Sequence, residues 1–399
     1  VLPSVTSTID HDRGTERRWT GVGRSEHADG RVAGREAAAL AAHDDPKLLV
    51  VFAAPTYDLA TVAAGVGEVA GTVPVIGCTT AGEISDTGPG DDSVVVFALG
   101  GTGFAVSTAA ATDASDRLRE AGSEAAACIT DVAGYPNRLL LLLTDGLAGD
   151  QQEIVRGAYD EVGAEVPLVG GCAGDGLRMQ RTFVLHNGKV LDNAVVAAAL
   201  GSDGPFGIGV RHGWRRVGEP MLVTSSAANR VHTLNDQPAL DLYLERLGAP
   251  TRAHHDAAAF TQFALTHPLG MSRRSGEEVR FVAEADFATR SLVCIAHVPP
   301  GALAWMMEGD DESVLEASDM ACDDALAQLG GVEPLGLLAF DCIARRGVLG
   351  IDGIHREIAR VASRANGAPV AGFYTYGEIA RRQGTGGFHN QTLVVLAVG

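Results

Sequence analysis

The chain has 399 residues, 46% of them hydrophobic and 20% charged, so it can bury more than one sizeable core, and two lobes are the expected organisation. Against 50 acidic residues stand only 31 basic ones, and the formal net charge of −19 disfavours nucleic acid and anionic membrane surfaces as partners. The six cysteines (Cys78, Cys128, Cys172, Cys294, Cys322 and Cys342) show no C-x-x-C or metal-finger spacing and read as reduced, buried thiols.

The first twenty residues lack the apolar core of a secretory leader, and no later stretch reaches the roughly 18 apolar residues that span a bilayer. A cytoplasmic protein with a flexible N-terminus up to residue 18 is the expectation. Three segments then share one grammar. The first runs KLLVVFAAPTYD, an Ala-rich helical stretch, VPVIGCTTAGEISD and DDSVVVFALG; the second runs RLLLLLTDG, a helix around QQEIVRGAYDEVG, VPLVGGCAGDG and DNAVVAAALG. The third runs PLGLLAFDCIARRG, a helix around GIHREIARVASRANG, APVAGFYTYGEIA and NQTLVVLAVG. Each opens with a short apolar run suited to a buried strand, continues into an amphipathic helix and returns in a second strand. The fold expected is α/β, with mixed, largely parallel sheets built from three related β-α-β-β units and helices packed on the sheets. Pro74, Pro167 and Pro369 align, as do Gly77, Gly170 and Gly372, and tight turns are the simplest use of those glycines.

Between the second and third segments, about 202 to 330, the pattern changes to short strands and turns, with a helix capped by Asn235 or Asp236 and another at about 313 to 329. The expected lobes are residues 19–225 and 226–399.

Loops that follow strand ends are where α/β sheets place ligands. On that ground the candidate ligand-binding residues are Thr80 and Glu83 in the first segment, and Tyr376, Glu378 and His389 in the third, with Asp341, Cys342, Arg345 and Arg346 after the strand LGLLAF. Glu83 and Glu378 can accept hydrogen bonds from an amine, or serve loop N–H groups and an arginine instead. An arginine at 345 or 346 can hold a carboxylate bidentately. Cys342 becomes a nucleophile only if a nearby cation lowers its pKa. No P-loop, G-x-S-x-G or metal-finger motif is present, so no catalytic residue is assigned. The alternatives to a binding protein are an enzyme with an unfamiliar site at the Asp341 to Arg346 and Glu378 loops, and a protein–protein adaptor.

The stretches VIGCTTAGEI, LVGGCAGDG, FGIGVRHGW, HTLNDQPALDLYLERLG, HPLG, FDCIARRGVLG and GFYTYGEIARRQGTGGFHNQT resemble the FIST family, a module with N- and C-terminal halves found in bacterial signalling proteins and some F-box proteins. The resemblance implies a sensory input module for a small molecule such as an amino acid. Some members bind haem, sense nitric oxide and act on histidine kinases, which makes haem a candidate cofactor and a histidine kinase a candidate partner. The haem-ligand candidates implied in this sequence are His389, His267 and His232.

Overall fold

The computed structural model describes residues 18–273, 276–381 and 386–399; the N-terminal segment expected to be flexible lies, apart from Arg18, outside the described residues. The apolar runs form three six-stranded sheets. In the first, Pro46–Ala53 lies between Val75–Thr79 and Val94–Gly100; in the second, Asn137–Thr144 lies between Leu168–Cys172 and Val195–Ser202; in the third, Gly336–Cys342 lies between Val370–Thr375 and Leu393–Val398. Trp19–Ser25, Phe104–Ala111 and Phe206–Arg211 extend the three sheets beyond Val94–Gly100, Val195–Ser202 and Leu393–Val398.

The strand runs are apolar at every position because both faces are covered. Leu48, Val50 and Phe52 point into a core shared by all three sheets, as do Leu139, Leu141, Leu143, Leu338 and Phe340. The alternate residues Leu49 and Val51 lie instead under helices Gly30–Ala41 and Leu59–Ala70, and Leu140 and Leu142 lie under Leu118–Ala126 and Gln151–Val162. Leu337 and Ala339 pack in the same way under Asp311–Ala327 and Ile343–Arg364. A period of two with both faces buried erases the polar alternation expected of a half-exposed strand. In the shared core the Phe52 and Phe373 rings stack at 4.9 Å and Phe340 meets Phe373 edge-on at 5.8 Å.

The sheets are mixed, and the expectation of largely parallel pairing is corrected. One strand pair in each of the three sheets is parallel, the pair joined by the crossover helix, and the other recorded pairs are antiparallel. The reason is the hairpins. The hairpin Glu83–Ser85 with Gly88–Gly90 leaves the first segment and pairs with Val370–Thr375 of the third sheet. Val184–His186 with Lys189–Leu191 pairs with Val75–Thr79 of the first, and Glu378–Arg381 with Phe388–His389 pairs with Leu168–Cys172 of the second. Each sheet is thus completed by strands from another segment, and antiparallel entry outweighs the single crossover.

Gly77, Gly170 and Gly372 are not turn residues, as the sequence suggested, but strand residues facing Val51, Leu142 and Ala339 across the parallel pair. A Cβ at these positions would stand 2.5, 1.9 and 1.9 Å from the carbonyl oxygens of those partners. Gly372→Ala should therefore lower stability by about 1–3 kcal/mol, as forced overpacking does. Gly67→Ala, on a helix with nothing within 4 Å of the added methyl, should raise it by about 0.5–1 kcal/mol. Denaturant midpoints of the two variants test the contrast, and equal midpoints would refute the steric account.

From Arg215 to Glu308 the chain leaves the third sheet and builds an eight-stranded antiparallel sheet with helices Ala239–Arg246 and Ala257–Ala264, around its own core of Met221, Val231, Tyr243, Phe260 and Met306. Here Asn235 and Asp236 do not cap the helix: both adopt positive φ in the turn before Gln237–Pro238, and Pro238 precedes the first helical residue. No helix among the described residues is long and apolar enough to cross a membrane.

Candidate functional site

The strand-end loops of the three segments meet each other. Ala81 N–H donates to the Tyr374 carbonyl, Tyr374 N–H to that of Gly82, Gly174 N–H to that of Thr79, and Cys172 N–H to that of Gly377. Within this junction Glu83 is fully buried and accepts from the Ser93 backbone at 3.1 Å, the Ser93 hydroxyl at 2.7 Å and the Thr80 hydroxyl. Glu378 repeats the arrangement, accepting from the Thr375 hydroxyl at 2.6 Å and Thr392 N–H at 3.2 Å. In the second segment Asp145 takes the place of the glutamate and accepts from Asn193 N–H and the Thr182 hydroxyl. In all three cases the carboxyl group holds a residue one or two positions before the closing strand. Burial raises Glu83 to about 7 and Glu378 to about 8. These glutamates serve loop donors inside the protein.

Arg345 is likewise fully buried. Its guanidinium donates to Asp341 at 2.7 Å, Glu357 at 2.5 Å, the Ser318 hydroxyl at 2.8 Å and the carbonyls of His212 and Val314. All of its nitrogens are engaged, which leaves no fork for a ligand carboxylate. Two carboxyl groups share this one cation, and Asp341 Oδ2 and Glu357 Oε2 have no N–H or O–H donor. Burial and then the Glu357 charge push the Asp341 pKa well above the ordinary carboxylate value. Arg346, by contrast, pairs bidentately with the exposed Asp91 and lies over the Tyr374 ring.

Cys342 is buried, and burial followed by the Glu378 charge raises its pKa well above the ordinary thiol value, the opposite of what an activated nucleophile needs. All six cysteines are free and buried. Tyr376 donates to Asp175, whose carboxylate also accepts from the backbone N–H groups of Met179, Gln180 and Arg181. Thus Thr80, Glu83, Asp341, Cys342, Arg345, Arg346, Tyr376 and Glu378 are brought to one end of the three sheets, and their polar groups are engaged by other parts of the protein.

His389 is placed differently. It lines a cleft of about 740 Å³ together with His212, Trp214, Arg211, Arg215, Glu277, Glu278, Glu316, Asp324 and Thr392. The walls come from the third sheet, the helix Asp311–Ala327, the antiparallel sheet of residues 215–308 and the hairpin Glu378–His389. His212 Nδ1 accepts Trp214 N–H at 3.0 Å, and burial lowers its pKa to about 4, so at neutral pH its proton sits on Nε2. His389 Nε2–H donates to the Ala380 carbonyl at 2.9 Å, and burial lowers this histidine as well, which leaves Nδ1 as a bare acceptor. The cleft therefore offers one imidazole donor and one imidazole acceptor among side chains of both charge signs. Sequence reading missed His212, Trp214, Glu277 and Glu316: FGIGVRHGW marks the first two only as part of a family stretch, and nothing local distinguishes the glutamates from solvated ones.

The residues present do not fit haem. His389 gives its Nε2 to a carbonyl, and the cleft around it is lined by carboxylates and arginines where a macrocycle needs apolar faces. His267 is engaged elsewhere, stacked on Phe263 at 4.0 Å with Nδ1 bonded to the Phe263 carbonyl, and His232 lies on the strand Arg230–Leu234. No cluster of three or more His, Cys, Asp or Glu suited to a metal ion occurs among the described residues.

Residues 47–237 match the FIST N domain and residues 239–381 match the FIST C domain. The chain belongs to the FIST family. FIST domains are associated with small-ligand sensing in signalling proteins. The division between the FIST N and FIST C matches falls inside the antiparallel sheet of residues 215–308, at the strand Gln237–Pro238. Similar chains include an uncharacterized protein of Methanocaldococcus jannaschii, 26% identical over 206 residues that make up 48% of this chain and 39% of that protein. Uncharacterized proteins of Mycobacterium tuberculosis and Mycobacterium bovis are 25% identical over 229 residues and 26% over 230; each alignment takes in 56% of this FIST chain, and 59% and 58% of the respective relatives. The matches thus span less than two thirds of these relatives' own length.

Proposed function

We propose that this FIST protein is a sensory module that binds a small zwitterionic ligand of amino-acid size in the cleft between the third sheet and the antiparallel sheet, and acts on a separate signalling protein in the cytoplasm. The observation that carries this reading is the pairing in one cleft of a His212 donor and a His389 acceptor with flanking arginines and glutamates. A zwitterion needs both signs of charge close together, and a cleft of about 740 Å³ is the size of a small-molecule site. The three segments with corresponding strand orders are read as copies of one β/α unit, with the cleft formed where residues 215–308 interrupt the third copy. A histidine kinase is the partner class the family resemblance supplies.

The cleft is tested by thermal melts of the purified protein against the individual amino acids. A ligand at 100 times its Kd should stabilise by about 2.7 kcal/mol. Glu316→Lys, an exposed position on the cleft wall, should abolish the shift without lowering the unliganded melting temperature by more than a surface substitution does, and His389→Gln, which disturbs the bond to the Ala380 carbonyl, should abolish it at a larger cost in melting temperature. If no amino acid shifts the melt, or the shift survives in both variants, the cleft is not the site. Hemin added to the same samples separates the haem version, which requires a Soret band.

A further inference from the structure

We propose that the strand Phe104–Ala111 is an interface for a second copy of this chain, the two strands pairing antiparallel about a twofold axis at Thr108 so that the second sheet runs on from one molecule into the next. This strand lies at the edge of its sheet and pairs with Val195–Ser202 alone among the described strands, in unbroken register over all eight of its residues. The adjoining bond from Asp203 N–H to the Gly103 carbonyl fixes which residues face that neighbour. Bonded residues alternate in an antiparallel ladder, so Ala105, Ser107 and Ala109 bond inward, and Val106, Thr108 and Ala110 turn their N–H and C=O groups outward. No acceptor meets those three N–H groups among the described residues. Residues 105–110 are all partly exposed, although their side chains alternate between the shared core and the helical layer, so the exposure belongs to the edge of the strand.

The third sheet shows what closes such an edge. There Phe206–Arg211 holds the corresponding place, and the bond from Gly399 N–H to the Pro205 carbonyl turns Ile208 outward by the same alternation. Gln328 satisfies both backbone groups of Ile208, its Oε1 accepting the N–H at 3.2 Å and its Nε2 donating to the carbonyl at 2.8 Å. The helix before Gln328 comes this close because a Cβ on Gly207 or Gly209 would stand 1.9 or 1.8 Å from the Ala325 or Ala321 carbonyl oxygen. In the second sheet Ala105 and Ser107 replace those glycines, and no glutamine reaches Val106 among the described residues. Open edges are ordinarily blunted by charge, proline or a bulge. Among the described edge strands longer than three residues, Phe104–Ala111 is the one without a charged side chain, for Arg24, Arg211, Glu278 and Glu284 lie on the others, and it has no proline or bulge. The occupant this edge fits is its own copy. With Thr108 opposite Thr108, Val106 meets Ala110 and Ser107 meets Ala109, each outward N–H finds an outward C=O, and neither strand sets a charge against its like. Molecules of net charge −19 repel one another elsewhere, which leaves an uncharged strand as the place of approach. The pairing does not depend on what fills the histidine cleft.

Sedimentation equilibrium of the purified chain should give a mass near twice 41.3 kDa at micromolar concentration. Asp131, which accepts the Ser107 hydroxyl at 2.6 Å, lies beside the strand in both copies, so added salt should strengthen the association. Amide exchange at Val106, Thr108 and Ala110 should slow at least about tenfold from dilute to concentrated protein. Ala110→Pro removes an outward N–H and no bond within the sheet, and Thr108→Lys sets a charge opposite its own copy. Each should weaken association at least about tenfold. Thr108→Lys and the wild-type exchange rates decide the matter even where Ala110→Pro fails to fold. A wild type that stays monomeric, a dimer that both substitutions leave intact, association that salt weakens, or slow exchange of the three amides in a monomer would overturn the proposal.

Discussion

Arg345→Ala should destabilise the protein by about 3–5 kcal/mol, whereas Arg346→Ala, one residue along the same helix, should cost no more than about 1 kcal/mol. The two arginines look alike in sequence, but Arg345 and its partners Asp341 and Glu357 are all shielded from water, and Arg346 faces an Asp91 that is 65% exposed. Removing one member of a buried ion group strands the others without solvent, and here two carboxyl groups would lose their shared cation. The Arg346–Asp91 pair has its carboxylate in water and is screened in both states, although the guanidinium is partly covered. The buried variant also strips hydrogen bonds from the Ser318 hydroxyl and the His212 and Val314 carbonyls. Urea unfolding of both variants checks the contrast. Similar losses would mean that the buried cluster is neutralised in some other way. Because Arg345 holds the His212 carbonyl, Arg345→Ala should also weaken ligand binding in the cleft, which Arg346→Ala should leave alone.

Stability should fall as pH rises from about 7 to 8, above the range in which the depressed histidines His212 and His389 oppose the effect, and Glu378→Gln should flatten that fall. Burial raises Glu378 from 4.5 to about 8 and Glu83 to about 7. Each folded carboxyl group therefore keeps a proton that the unfolded chain has already lost above pH 4.5. The folded state binds more protons in this window, so its advantage is full below the unfolded pKa and is lost as pH climbs through the folded one, at up to about 1.4 kcal/mol per pH unit for each group. A glutamine at 378 carries no titrating proton. Its carbonyl can accept Thr392 N–H and its amide can donate to the Thr375 hydroxyl, so the junction is kept. Denaturant midpoints at pH 7 and 8 measure the slopes, and a variant slope equal to wild type would show that Glu378 is ionised throughout.

Much of the chain's architecture was legible from residues alone, for a definite physical reason. Runs such as KLLVVF and LLLLL have no polar alternation because each strand lies between a shared core and a helical layer, so the pattern reports burial on both faces. The glycines of the Pro-Val-x-Gly step were found but misread, since a turn glycine and a strand glycine under a neighbouring carbonyl have the same letter and the same neighbours. The glutamates were found as special positions, and both of their readings were open. Choosing between them required Ser93 and Thr392, whose backbone N–H groups reach those carboxyl groups only when the closing strands are in place.

The sequence by itself determined the composition class, the strand–helix–strand order of three segments and the family, because those depend on local period and on motifs read within single stretches. Only the tertiary structure decided that each hairpin completes another segment's sheet, that Arg345 is saturated by buried partners while Arg346 pairs with an exposed carboxylate, and that His212 and His389 share a cleft. Those outcomes rest on contacts between residues far apart in the chain. What a side chain touches there is fixed by packing, and no local pattern encodes it.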